Sequence, residues 1–188
     1  MNNKDFLYIN KYLNSFNFLV EDIKKNISKI LLIKELILEA KKKNKKILIF
    51  GNGGSAAIAS HFSIDLTKCG NIRCVNFNES SLITCFANDF GYENWVAKAV
   101  EYYANSGDVL ILISSSGESL NMINACKAAK KYKIKKTITF TGFSEKNSLK
   151  KSGEINIWVN SKIYNHVENI HQIMLLSIID LINKTNIR

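Results

Sequence analysis

The chain has 188 residues and a mass of 21.3 kDa, which suits one compact domain that buries roughly 70% of the surface its unfolded form exposes. Its 46% hydrophobic and 22% charged content excludes disorder as the main character, and no apolar run approaches the roughly 20 residues of a membrane-spanning helix. The net charge of +10 is almost all lysine, since Arg73 and Arg188 are the only arginines, so the clusters at 41–46 and 130–136 read as solvated helix ends rather than a nucleic-acid surface.

The first residues, Met1 to Phe6, lack the apolar stretch of a secretory signal, which makes the cytoplasm the expected location. Between 4 and 43 apolar residues recur at helical spacing, among them Ile23, Ile27, Ile30, Ile33, Leu36 and Ile37, predicting two successive helices or one broken one. The pattern then changes to a short continuous apolar run over 46–50 that ends at a glycine, as in a strand buried on both faces. Similar runs follow at 74–77, 109–113 and 137–140, with a weaker one at 155–159. Helical stretches are expected over 55–68, 81–86, 94–104, 119–132, 144–150 and 163–183. This alternation predicts a three-layer α/β sandwich around a parallel sheet of about five strands, in one domain spanning 1–188. The last helix is apolar nearly all round in its second half, so it and the helices of 1–44 exceed what one such sheet needs and predict packing between subunits. Cys69, Cys74, Cys85 and Cys126 form no C-x-x-C pair and read as free thiols.

In a parallel sheet the ligand sits beyond the carboxyl ends of the strands, and two such ends carry chemistry here. The first is Gly51-Asn52-Gly53-Gly54-Ser55, which reads either as a plain strand-to-helix turn or as an anion cradle in which Ser55 caps the helix. Ala56 stands where a dinucleotide fingerprint needs its third glycine, and no Gly-Lys-Ser/Thr follows, so neither nucleotide motif applies. The second is Ser114-Ser115-Ser116-Gly117-Glu118-Ser119, either a serine-rich cap or a set of neutral donors suited to a phosphate monoester. His61 and Asp65 lie four apart on one helical face, where they form a surface pair or share a metal or a proton. On the last helix Glu168, His171 and Gln172 are predicted to share a face, with His171 as a reserve acid, while His166 lies off it and is unassigned.

Taken together with Asn88-Asp89-Phe90-Gly91, these motifs resemble the phosphoheptose isomerases of the sugar isomerase (SIS) fold, over nearly the whole chain. The resemblance implies a flavodoxin-like SIS domain whose helices in 1–44 serve oligomerisation, assembled as a homotetramer. It implies conversion of sedoheptulose 7-phosphate to D-glycero-D-manno-heptose 7-phosphate, for the lipopolysaccharide core or capsule. It places phosphate on Ser114, Ser115, Ser116 and Ser119, and the sugar on Asn52, Gly53, Gly54 and Ser55 with Asn88 and Asp89. It also implies one zinc per subunit. At the corresponding positions Asp65 replaces a glutamate base, Glu168 a glutamine ligand and Leu176 a histidine ligand, and Lys68-Cys69-Gly70 lacks the usual arginine. The expected metal set is therefore His61, Asp65 and Glu168, and the same three residues are the expected catalytic groups. The alternative reading is a non-catalytic SIS tetramer that senses a phosphosugar or binds another protein.

Overall fold

The structure is a computed structural model that describes residues 3–185; residues 1–2 and 186–188 lie outside the described residues. Two helices lead the chain, α1 (Asn3–Ile23) and α2 (Ile27–Lys42), joined by a 3₁₀ turn over Lys24–Asn26, so the long N-terminal stretch is broken rather than continuous. Alternating elements follow: β1 (Ile47–Phe50), α3 (Gly54–Lys68), β2 (Cys74–Val75), α4 (Ser80–Phe90), α5 (Trp95–Tyr103) and β3 (Val109–Ser114). The chain continues through α6 (Leu120–Lys131), β4 (Lys136–Thr141), α7 (Ser148–Ser152), β5 (Ile155–Trp158) and α8 (Tyr164–Asn183).

Every strand pair is parallel and the order is β2-β1-β3-β4-β5, the doubly wound sheet expected from the alternation. The period of two in the buried strands divides the core into two halves. Ile47, Ile49, Val109, Ile111 and Ile113 point to one face, where they meet Ile33 and Ile37 of α2, Phe62 and Leu66 of α3, and Ile170 and Met174 of α8. Leu48, Phe50, Leu110 and Leu112 point to the other, against Trp95 and Val96 of α5 and Met122 and Cys126 of α6. All four cysteines are free, as expected; Cys74 and Cys126 are buried, and burial pushes the Cys126 thiol up to about 12.

Several element boundaries differ from the sequence reading. Helix α7, expected over 144–150, spans only Ser148–Ser152, with Asn147 as its cap. Strand β2 ends at Val75 instead of reaching residue 77, because Phe77 takes a left-handed backbone with φ 54° that no strand continues through. Helix α4 runs to Phe90, four residues beyond its expected end. It is capped by the Glu79 carboxylate, which accepts from the Ser81 and Leu82 amides, and stopped by Gly91 at φ 84°.

Because β1 lies between β2 and β3, the chain leaves β1 toward one sheet edge and returns to place β3 on its other side. The loops after β1 and β3 diverge at this point, which opens a crevice at the carboxyl end of the sheet.

Candidate active site

The first wall of the crevice is the turn from β1 into α3. Gly53 sits at φ 53° and ψ −123°, a conformation that residues with side chains rarely adopt, and it forms the N-cap without a side-chain bond. Ser55 therefore does not cap α3; it lies buried in the first turn. Gly54 is needed for a different reason, because a Cβ there would overlap the Glu168 carboxylate arriving from α8.

The second wall is the serine loop. Ser114 and Ser119 hydroxyls lie 3.0 Å apart across it, and the Gly117 amide donates to Ser114 Oγ at 3.2 Å. Ser119 is the N-cap of α6 but makes no capping bond, and the Glu118 amide donates to Ser116 Oγ at 3.2 Å. Together with Asn52, Ser55 and Glu168 these serines line a hollow of about 210 Å³ that has no lysine or arginine in its walls.

A second hollow of about 330 Å³ adjoins it, bordered by Gly54, Ile58, His61, Gln172 and again Glu168. His61 Nε2 stands 3.1 Å from Asp65 Oδ2, and Nδ1 stands 3.4 Å from Gln172 Nε2, so the ring is held from both sides. With the Gln172 amide nitrogen facing Nδ1, donation by Nε2–H to the carboxylate leaves Nδ1 as the acceptor of that contact. Glu168 stands in the partition between the hollows, with Ser115 Oγ donating to its Oε1 at 3.5 Å.

Among the residues singled out in the sequence, the structure brings Asn52, Ser55, Ser114, Ser115, Ser116, Ser119 and Glu168 to one hollow, with His61 next door and Asp65 beside it. Asn88 and Asp89 stand apart from that wall: they lie exposed on the last turn of α4, where Asn88 Nδ2 donates to Asp89 Oδ1 at 3.0 Å. His171 does not share the face of Glu168 and Gln172. It is fully buried with Nε2 3.1 Å from the Thr141 carbonyl, and burial pushes its pKa down to about 4, so it is not available as an acid at the crevice. His166 is also buried, between the rings of Tyr12 and Phe16 with Ser15 Oγ at 3.1 Å, and ties α8 to α1. Two further residues were not singled out: Tyr164 of the wall, whose place one turn before Glu168 was the available signal, and Asn121, which does not line the hollow but pairs with Asn52 by bonds of 3.0 and 2.9 Å.

Residues 11–142 match the SIS domain family. The phosphoheptose isomerase of Buchnera aphidicola subsp. Acyrthosiphon pisum is 34% identical over 183 residues, covering 92% of either chain. This chain belongs to the phosphoheptose isomerases of the SIS fold. A probable phosphoheptose isomerase of Thermoplasma acidophilum is 38% identical over 153 residues, or 78% of this chain and 82% of its own. The solved structure of the phosphoheptose isomerase of Neisseria gonorrhoeae superposes with a TM-score of 0.86 at 27% identity, over 93% of this chain and 97% of that one.

Membership brings the question of zinc back to the residues present. Among the described residues no group of three or more His, Cys, Asp and Glu side chains is placed to hold a metal ion. His61 and Asp65 are spent on each other, Glu168 is turned toward Ser115 and Gly54, and Leu176 packs against the apolar core. The set expected for zinc, His61, Asp65 and Glu168, does not fit a three-ligand site in this arrangement.

Proposed function

We propose that this phosphoheptose isomerase converts sedoheptulose 7-phosphate to D-glycero-D-manno-heptose 7-phosphate, with phosphate on the serine loop and the reacting carbons toward His61 and Asp65. The observation that carries the reading is that a hollow of hydroxyls and a hollow with a histidine–carboxylate pair share one wall. The first suits the phosphate, and the second suits proton transfer at the other end of the same sugar.

Isomerising a ketose to an aldose moves a proton from C1 to C2 through an enediol. Asp65 takes the C1 proton and returns it to C2, and His61 donates Nε2–H to hold that carboxylate in place. Glu168, between the hollows, moves the second proton between the sugar oxygens. Negative charge that develops on those oxygens lies near the first turn of α3, whose free amides and dipole favour it. Asn52, Gly53, Gly54 and Ser55 hold the sugar.

The chain assembles as a homotetramer through its N-terminal helices and α8, in the cytoplasm, where it supplies heptose for surface polysaccharide. Assembly is supported by the exposed Phe6, Leu7, Ile9, Leu13 and Phe18 of α1 and by an apolar hollow of about 570 Å³ walled by Ile27, Ile30, Leu31 and Leu181. No described helix is long and apolar enough to cross a membrane. Light scattering checks the assembly, and a species near 21.3 kDa removes it.

Incubation with sedoheptulose 7-phosphate followed by NMR tests the reaction. Appearance of the aldose is expected, and no conversion with or without added zinc overturns it. Binding of the sugar phosphate without turnover selects the non-catalytic alternative.

A further inference from the structure

Asn52 is held by a chain of polar contacts whose direction is set by one backbone group. The Met122 amide, in the first turn of α6, donates to Asn121 Oδ1 at 3.1 Å while also reaching the Ser119 carbonyl at 3.1 Å. A backbone N–H can only donate, so the side-chain atom facing it is the oxygen of Asn121 and not its nitrogen. That oxygen also accepts from Asn52 Nδ2 at 3.0 Å, which uses its second lone pair. The parallel contact of 2.9 Å then runs from Asn121 Nδ2 to Asn52 Oδ1. Asn52 Oδ1 takes a second bond, of 3.1 Å, from the Tyr92 hydroxyl, 40 residues along the chain.

The count for Asn52 closes on the acceptor side. Both lone pairs of Oδ1 are used, one N–H is used, and the polar capacity that remains is a single N–H donor. Asn121 is almost fully buried, and turning its amide over would set Nδ2 against the Met122 N–H, donor against donor. Tyr92 comes from the exposed turn after Gly91 and reaches Asn52 Oδ1 through its hydroxyl.

We propose that Asn121 and Tyr92 are positioning residues that lock Asn52 as a hydrogen-bond donor, so that at this point of the crevice the bound phosphosugar must present an acceptor oxygen. The proposal rests on the phosphosugar reading of the site. It separates this role from simple loop bracing, because a brace acts whether or not Asn52 keeps its amide, whereas an orienting residue acts only through that amide.

Calorimetric titration with sedoheptulose 7-phosphate, extended to millimolar ligand, tests this on Tyr92→Phe, Asn52→Ala and the double variant. Tyr92→Phe should raise Kd about 3–10-fold alone and by less than about twofold when Asn52 is already alanine. Asn121→Asp keeps the bonds from the Met122 amide and Asn52 Nδ2 but sets an oxygen against Asn52 Oδ1, and should raise Kd about tenfold or more. An unchanged Kd in Tyr92→Phe, or the same rise in both backgrounds, overturns the proposal. The titration does not need turnover: a wild type that binds but does not convert the sugar overturns the isomerase reading alone, and one that does not bind it overturns both.

Discussion

Asp65 and Ser119 differ in what they offer a bound phosphosugar, and substitution should separate their roles. Asp65 holds a partly exposed carboxylate against His61, so Asp65→Asn keeps the shape of the pair but removes the base. Turnover should fall by about 10²-fold or more while affinity for the sugar phosphate changes little. Ser119→Ala removes a hydroxyl that meets Ser114 across the loop, and should weaken binding by about 1–3 kcal/mol. Parallel kinetics and calorimetry check the contrast, and full turnover in Asp65→Asn would pass the base to Glu168. Asn52 and Ser114 were legible in the sequence because their glycine and serine runs sit at strand ends of a fold that binds ligands there, and His61 because it stands four residues before Asp65 on one helical face. Asn121 was not, since its meaning lies in a partner 69 positions away, and neither was the inward turn of His171, which depends on how α8 rolls against β4.

At the scale of elements, the central strands β1 and β3 were the most readable part because each is a nearly continuous apolar run, which only burial on both faces allows, whereas β4 alternates with threonine and β5 with half-buried Asn156 and Trp158. Helix α4 was cut short in the sequence reading because Asn88 and Asp89 resemble a loop, whereas the Glu79 cap and the left-handed Gly91 define a longer helix. The start of the central strands rests on one buried charge that no apolar pattern shows. Asp108, just before β3, accepts from Lys46 Nζ at 2.6 Å, from the Lys46 amide at 3.0 Å and from the Asn105 amide at 2.8 Å. Asp108→Ala strands the Lys46 ammonium in a mostly buried position and should cost about 3 kcal/mol in urea unfolding, with little effect on the distant crevice.

For the molecule as a whole, stability should depend on pH through His171. Its pKa lies near 6.5 in the unfolded chain and about 4 in the fold, so between these values only the unfolded chain takes up the proton. The contribution is complete above about pH 6.5 and is lost as pH falls toward 4, reaching roughly 3 kcal/mol. Urea midpoints measured between pH 7 and 4.5 should drop accordingly, and His171→Gln should flatten that slope. The absence of any lysine or arginine from the serine hollow, in a chain of net charge +10, has a kinetic consequence. The diffuse positive field draws a phosphate dianion in from solution, but once seated the ligand meets neutral hydroxyl donors and the Glu168 carboxylate, with no cation of the wall to hold it. Raising salt from about 20 to about 500 mM should therefore slow association several-fold in stopped-flow measurements while dissociation stays constant, so that arrival and residence answer to different parts of the protein.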